Sequence, residues 1–256
     1  MSTWLERGTR SWSTKAVARE TNGLSNLARG FDVFDVRGGA GGDHADERKH
    51  VVGYVDKGAT FTYVAANWTQ PSVSCPVPNA RVSFWIGLDC FGNGTVEQAG
   101  TFVKCALNAA PTYQAFWEMF DGTHSPGAEP FAVSPGDKIF ASVKYTGGSY
   151  VLEVRDKTNH QHLTVTEQCA KVCQRSIAEW IVERPGSGTY PLANYSKVEF
   201  NGAKAEGTPG GSGGISAFPD VLRVTMLHAG KKLSTPSNLG SHGGGKAFHC
   251  TWLASQ

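Results

Sequence analysis

The sequence predicts an all-β protein, an antiparallel β-sandwich or barrel, from three observations. No long stretch repeats its apolar residues with the 3.6-residue period of an amphipathic helix. Short segments rich in Val, Ile, Thr, Phe, Tyr and Trp recur along most of the chain. Gly, Pro and Asn turns separate these segments at regular spacing, which is typical of antiparallel β-domains.

Twelve segments are predicted to be strands, and the first begins near Val51. In chain order they are VVGYVDKG, ATFTYVAANWTQP, ARVSFWIGLD, TVEQAGTFVKC, TYQAFWEMF, DKIFASVKY, SYVLEVRDK, QHLTVTEQC, SIAEWIVE, SKVEFNGA, VLRVTMLHAG and KAFHCTWLAS. Each contains the β-branched and aromatic residues that pack well on a pleated surface. Residues 207–214, GTPGGSGG, interrupt the series and are predicted to form a flexible loop inside the domain.

Residues 1–48 differ in composition from the rest of the chain. They are polar and Gly-rich, lead into GGAGGDHADERKH, and are expected to be a leader, a propeptide or a disordered segment. Residues 49–256 are expected to form the β-domain. The first 15 residues contain no apolar stretch of the kind that a signal peptide carries.

The net charge and the cysteine content limit the classes of partner and the cellular compartment that the sequence predicts. The net charge of +2 gives no support for nucleic acid or a membrane as partner. No apolar run approaches the roughly 18 to 20 residues of a membrane span. Six cysteines, at positions 75, 90, 105, 169, 173 and 250, lack zinc-like spacing, so no metal or cofactor is expected. Their even number suits an oxidising compartment and one to three disulfides of open connectivity, which favours a secreted protein.

The strand segment AEWIVE, residues 178–183, carries two acids. Successive side chains of a strand point to opposite faces, so Glu179 and Glu183 share one face and Trp180 and Val182 the other. The segment otherwise resembles a buried strand. On their own, the two acids are also consistent with the solvent-facing side of an antiparallel strand.

Three further strand segments carry polar groups. Asp89 ends WIGLD, which begins at Trp85; Gln98 lies in EQAGT; and Glu118 lies in YQAFWEMF. Each of these polar residues, considered alone, is consistent with an ordinary solvent-facing strand position.

These segments, in this order, resemble the eqolisin family, the glutamic peptidases (peptidase family G1). The family shows W-[VI]-G-[IL]-D, Q-T-G, Y-x-A-W-Y-E and A-E-W-I-V-E segments, to which WIGLD, EQAGT, YQAFWEMF and AEWIVE are similar. LANYSKVEF and KAFHCTW also agree with later family segments, so the resemblance covers residues 51–254.

The resemblance implies a β-sandwich of two seven-stranded antiparallel sheets with a substrate groove over the concave face. It also implies a secreted, monomeric acid endopeptidase that acts on protein or peptide substrates without a metal or cofactor. The family's catalytic glutamine corresponds to Gln98, and its catalytic glutamate to Glu183, with Glu179 as the fallback. Trp85, Asp89, Glu118 and Glu179 are expected to bind substrate or to support this pair.

A glutamine and a glutamate form a minimal set for peptide hydrolysis by water. A carboxylate can take a proton from water and later give it to the leaving nitrogen. A primary amide can position the water and donate an N–H to the developing oxyanion. Glu179 and Glu183 lie roughly 13 Å apart along an extended strand, so direct proton sharing between them is not expected.

The chain also departs from the family pattern. It has QAG for Q-T-G, FWEM for W-Y-E-W, and Asp89-Cys90 where the family has Asp-Gly. We expect a disulfide between Cys90 and Cys173, or Cys169, joining the two catalytic strands. Two alternatives remain at this stage: a β-sandwich module that binds carbohydrate or protein, and an inactive peptidase homologue.

Overall fold

The computed structural model describes residues 47–48, 50–107, 110–121, 127–170, 173–186, 190–240 and 245–256. Its strands are β1 (Glu47–Arg48), β2 (Val51–Lys57), β3 (Thr60–Thr69), β4 (Arg81–Asp89), β5 (Val96–Lys104), β6 (Thr112–Phe120), β7 (Gly127–Ala128), β8 (Lys138–Thr146), β9 (Ser149–Asp156), β10 (Gln161–Glu167), β11 (Ala178–Glu183), β12 (Lys197–Thr208), β13 (Gly211–Gly213), β14 (Asp220–His228), β15 (Lys231–Pro236) and β16 (Ala247–Trp252). A 3-10 helix covers Ile215–Ala217. Over these described ranges, no helix is long and apolar enough to cross a membrane.

The all-β prediction is confirmed, and each of the twelve predicted segments contains a strand. The sequence did not reveal the short strands β1, β7 and β13, or β15. The expected loop at residues 207–214 is instead a β-hairpin, because β12 continues to Thr208 and β13 pairs back onto it. Two glycines at its tip, Gly210 and Gly211, have positive φ and allow the tight reversal.

The strands form one continuous hydrogen-bonded path rather than the two separate sheets expected. The order is β10-β9-β8-β3-β12-β16-β15-β14-β2-β11-β4-β5-β6-β7, with β1 and β13 attached beside it. Neighbours on this path are antiparallel, whereas β1 runs parallel to β14. We call the seven strands from β14 to β7 along this path the front half, and the seven from β10 to β15 the back half. They are continuous because β14 pairs with β2 on one side and β15 on the other.

Large side chains connect the interior faces of the two halves. The indole Nε1 of Trp180 on β11 donates to the Ala65 carbonyl of β3 at 3.0 Å. The indole Nε1 of Trp68 on β3 donates to Thr101 Oγ1 of β5 at 3.3 Å. Both tryptophans are buried, so their N–H groups need these partners. The halves therefore pack face to face over one hydrophobic core, as in a β-sandwich.

Strand alternation decides which side chains of the front half enter that core. On β11, Ala178, Trp180 and Val182 belong to the core cluster, so Glu179 and Glu183 point away from the back half. The strands approach each other closely at Gly100 of β5. A Cβ there would lie 2.1 Å from the Phe84 carbonyl oxygen, so only glycine fits this position.

The expected disulfide between Cys90 and Cys173 or Cys169 is wrong. Cys169 bonds to Cys173, four residues later, and Cys75 bonds to Cys105. Cys90 is a buried free thiol. Burial and then the carboxyls of Glu179, Glu183, Glu118 and Asp89 raise its pKa, which places this thiol beside acids rather than beside another cysteine.

Two acids lie on the interior face of the front half. Asp56 of β2 is opposite Ala178 of β11. Glu97 of β5 lies in the same row, because Ala178 is opposite Leu88 of β4 and Leu88 is opposite Glu97. Both acids are 0% exposed, and among the described residues neither carboxyl has a hydrogen-bond partner. Burial raises the pKa of both groups, to about 8 for Asp56, with a nearby carboxyl adding to the shift in each case.

The free energy of unfolding is expected to fall as pH rises, and Asp56→Asn should flatten this dependence. Unfolded aspartate loses its proton near pH 4, whereas folded Asp56 keeps its proton until about pH 8. Between these values the folded state binds more protons, so this carboxyl removes up to about 1.4 kcal/mol of stability per pH unit. Urea unfolding at pH 4, 6 and 8 measures the slope.

Glu199→Gln is the matched control, because Glu199 is an exposed carboxyl on β12. It should leave the slope close to that of the wild type. Identical slopes for the wild type and Asp56→Asn would show that Asp56 does not titrate in this range.

Candidate active site

The candidate site lies on the face of the front half that points away from the back half. We call this the site face; its central positions are Ser83, Trp85 and Gly87 of β4, Gln98 and Gly100 of β5, Glu118 of β6, and Glu179 and Glu183 of β11. The side chains are buried: Trp85 is 0% exposed, Gln98 2% and Glu183 6%. Low solvent exposure strengthens every electrostatic interaction among them.

One row of the site face contains Gln98 between two glutamates. Gln98 is opposite Glu118 on one side and Gly87 on the other, and Gly87 is opposite Glu179. The Gln98 Nε2 donates to Glu118 Oε2 at 2.9 Å. In the described structure, the buried Gln98 Oε1 accepts no hydrogen bond. The carboxamide is thus oriented by Glu118, with an acceptor left for another group.

Glu183 lies in a different row, opposite Ser83 of β4. Its Oε2 accepts hydrogen bonds from the indole Nε1 of Trp85 at 2.9 Å and from Ser83 Oγ at 3.3 Å. Burial raises the pKa of Glu183 to about 8. The Trp85 and Ser83 hydrogen bonds oppose this rise because they favour the charged form, and the Glu118 carboxyl adds to it.

The Trp85 indole spans the space between these two rows. A Cβ at Gly87 would come within 3.1 Å of Trp85 Cζ3 and 3.3 Å of the Gln98 Cβ. The opposite edge of the ring carries the N–H that contacts Glu183. Glycine at position 87 therefore leaves room for the indole beside the Gln98 row while its N–H reaches Glu183.

Glu179 contacts the loop after β4. Its Oε1 accepts a hydrogen bond from the backbone N–H of Phe91 at 2.7 Å. This contact attaches the β4–β5 connection to β11. Glu179 is therefore on the same face as Glu183 but has a different hydrogen-bonding role.

Asp89 organises the same loop, and within the described structure it forms no hydrogen bond with Gln98 or Glu183. It adopts a positive φ of 61° and accepts hydrogen bonds from the side chains of Asn93 and Thr95. It also accepts the backbone N–H groups of Arg175 and Ser176 at 2.7 and 2.8 Å. Asp89 thus connects the β4–β5 loop to the segment that leads into β11.

The site can polarise and move protons but offers no clear metal-binding set. Within the described ranges, no group of three or more His, Cys, Asp or Glu side chains is arranged to hold a metal ion. Gln98 presents an amide, and Glu183 presents a carboxyl with a raised pKa on the same face. These groups suit a reaction in which water is the nucleophile.

A family model described as the Peptidase A4 family matches residues 49–241. The chain belongs to this peptidase family. Its fold agrees with that of solved family structures. Scytalido-glutamic peptidase bound to a transition state analogue inhibitor superposes with a TM-score of 0.65 and 23% identity, covering 80% of this chain and 98% of that chain. The likeness at this identity shows the fold.

Two further structures agree with the family assignment. SCP-B, an eqolisin in complex with the tripeptide Ala-Ile-His, has a TM-score of 0.61 and 22% identity over 80% of this chain and 98% of that chain. Aspergilloglutamic peptidase from Aspergillus niger has a TM-score of 0.56 and 25% identity over 68% of this chain and 99% of that chain. No curated protein matches the chain.

Sequence reasoning missed two contacts of this A4-family site. Ser83 lies two residues before Trp85, so strand alternation already placed it on the same face. Its pairing with Glu183 required the register between β4 and β11, which the sequence does not show. The Phe91 amide that contacts Glu179 carried no signal in the sequence, because it is a backbone group.

Trp85→Phe is expected to raise the pKa of Glu183. The substitution keeps an aromatic ring but removes the indole N–H that favours the charged carboxylate. Titration of the side-chain carboxyl carbon by ¹³C NMR measures the change. Ser83→Ala, which removes the longer hydrogen bond, should give a smaller shift in the same direction. An unchanged pKa in Trp85→Phe would contradict the proposed contact.

Proposed function

We propose that this chain is a glutamic endopeptidase in which Gln98 and Glu183 activate a water molecule. The observation that carries the proposal is their presentation on one buried face. Gln98 has an oriented amide with an available acceptor, and Glu183 has a carboxyl of raised pKa held by Trp85. Membership of the Peptidase A4 family supports the same reaction class.

The proposed reaction uses both oxygens of the Glu183 carboxyl. A water molecule donates a hydrogen bond to Gln98 Oε1 or to Glu183 and attacks the carbonyl carbon of the scissile peptide bond. Glu183 begins protonated. As the new C–O bond forms, one Glu183 oxygen gives its proton to the substrate carbonyl oxygen while the other oxygen takes a proton from the water. Glu183 then gives that proton to the leaving nitrogen as the C–N bond breaks, and the newly formed carboxylic acid returns a proton to Glu183, so the enzyme ends in its starting state.

Gln98 is proposed to stabilise the intermediate of this reaction. Its Nε2 carries two N–H groups, of which one contacts Glu118. The other is available to donate to the developing oxyanion, where a donor typically contributes about 100- to 1000-fold in rate. Glu118 is a positioning residue, because it acts through the Gln98 amide.

Glu183 is preferred to Glu179 as the reacting acid. Glu179 accepts a backbone N–H from the β4–β5 loop, which is a structural use of its carboxyl. Glu183 is held by side chains on the site face, and burial raises its pKa. A carboxyl that keeps its proton in a dry site can serve as a general acid.

The raised pKa of Glu183 is compatible with activity at acid pH. With a raised pKa, Glu183 is protonated at acid pH and can give a proton to the substrate while its other oxygen accepts one from water. The buried carboxyls of Asp56 and Glu97 also favour the protonated, folded state at low pH. We therefore propose an acid endopeptidase.

We further propose that the protein is secreted and that residues 1–48 are a leader. The two disulfides suit an oxidising compartment. A form that begins at residue 49, where the family match begins, is the reference enzyme for the activity assays.

Glu183→Gln and Gln98→Ala are each expected to lower kcat for cleavage of a denatured protein by at least about 100-fold. The first loses the proton carrier, and the second loses the oxyanion donor. Glu179→Gln keeps an oxygen acceptor for the Phe91 amide and should lower kcat by less than about tenfold. Cleavage from pH 2 to 7, with pepstatin present, measures all three variants against the wild type.

Circular dichroism and thermal unfolding of each variant are the controls for folding. A larger loss in Glu179→Gln than in Glu183→Gln would reverse the assignment of the two acids. A folded wild type, beginning at residue 49, that cleaves nothing would overturn the enzyme proposal and favour a binding module or an inactive homologue.

The alkaline limb of the pH profile, with the cleavage assay extended to pH 10, is expected to report Glu183. Activity should fall as pH rises through its pKa, because the ionised carboxylate no longer carries the proton for the leaving nitrogen. Trp85→Phe should move this limb to higher pH, since it raises the pKa of Glu183. A shift of the acid limb instead would show that Glu183 reacts as a carboxylate base.

A further inference from the structure

Acidic and basic side chains are segregated between the inside and the surface of this protein. Among the described side chains, Arg184 is the single basic residue in the buried set. The buried carboxylic residues are Asp56, Asp89, Glu97, Glu118, Asp121, Asp137, Asp156, Glu179 and Glu183. The exposed surface is therefore richer in positive charge than the net charge of +2 suggests.

Part of this positive charge is concentrated on the outer face of the back half. Ile139, Ala141 and Val143 of β8 are buried in the core, so Lys138 and Phe140 point outward. Arg155 of β9 is opposite Phe140, and His162 of β10 is opposite Arg155. The backbone N–H of Lys157 contacts the Lys138 carbonyl at 2.8 Å. We call Lys138, Phe140, Arg155, Lys157 and His162 the basic patch.

Neutral groups hold the two lysines of the basic patch in place. Lys138 Nζ donates to Thr69 Oγ1 at 2.8 Å, and Lys157 Nζ donates to Asn67 Oδ1 at 2.7 Å. Within the described structure neither ammonium group forms a salt bridge. Their positive charges therefore remain available to an external anion.

Arg155 supplies a third cation to the basic patch, and a neighbouring carboxylate neutralises part of its charge. Arg155 forms a salt bridge with Glu153, yet its side chain is 54% exposed. The Arg155 guanidinium lies 5.5 Å and the Lys157 ammonium 5.1 Å from the Phe140 ring centroid. Cation–π contacts of this kind restrict the long side chains, so less entropy is lost when an anion binds.

We propose that the basic patch binds an acidic polysaccharide and so attaches the protein to a polyanionic matrix. Lysine and arginine side chains are the usual partners of carboxylate and sulfate groups. The patch lies on three adjacent strands of an extended sheet face, which suits a polymer with repeated charges. It is on the opposite side of the sandwich from the site face, so attachment would leave the candidate active site free.

The same surface fits other polyanions less well. Phe140 already has cations at its ring, so it does not offer a free platform for stacking a nucleic-acid base. The exposed large hydrophobic residues among the described side chains are Leu107 and Leu253, and neither belongs to the patch. A membrane-binding surface would need such apolar groups beside its cations.

Adsorption of the full chain to immobilised polygalacturonate at pH 6 tests the proposal, with uncharged dextran as the reference. The double variant Lys138→Glu/Lys157→Glu is expected to raise the dissociation constant by at least about tenfold. Lys231→Glu/Lys232→Glu reverses the same number of charges on β15, which three strands separate from β8. This control should change the dissociation constant by less than about threefold.

Cleavage of a soluble peptide should be unchanged in both double variants. Adsorption is measured without any cleavage, so the binding proposal and the peptidase proposal can fail independently of each other. Equal losses of affinity in both double variants, or no adsorption of the wild type, would overturn the proposal that the basic patch binds an acidic polysaccharide. Tighter binding to single-stranded DNA or to anionic vesicles would also overturn it. Mass spectrometry that finds a glycan on Asn67, the first residue of a sequon beside Lys157, would do the same.

Discussion

The hydrogen bond from the Trp180 indole to the Ala65 carbonyl is the contact on which the candidate site depends. It fixes β11 against β3 of the back half and buries the even-numbered side chains of β11. Glu179 and Glu183 must then face the other way. A register slip of one residue would move Glu179 and Glu183 into the core and Trp180 and Val182 out of it. The large free-energy cost of burying two acids and exposing two apolar side chains maintains the register.

Much of the fold could be predicted from local composition, because each long strand carries its own β-branched and aromatic residues. The short strand β7 and the hairpin of β13 carry few such residues, since their pairing comes from neighbouring strands. Alternation and the family resemblance were sufficient to place Gln98 and Glu183 on one face. The Ser83 and Phe91 contacts and the Cys75–Cys105 bond depend on register and loop paths, for which the sequence holds no local signal.

The charge distribution connects the fold to the proposed chemistry. Burying a carboxylic acid costs less when it is protonated, so acids accumulate inside a protein that works at low pH. Asp56 and Glu97 in the core and Glu183 on the site face all have raised pKa values for the same reason, which is desolvation. Stability and catalysis would then respond to pH in the same direction, while the lysines left outside carry the surface charge.

The two buried thiols also affect whether the protein can refold after it has unfolded. Cys90 and Cys250 are protected in the folded protein, but an unfolded chain exposes them beside two disulfides. Exchange requires a thiolate, whose share falls tenfold with each pH unit below the ordinary thiol pKa of about 8.5. A chain that unfolds transiently in acid therefore keeps its native cross-links and can refold. The same event in a mildly alkaline medium allows the bonds to rearrange, so inactivation there becomes permanent.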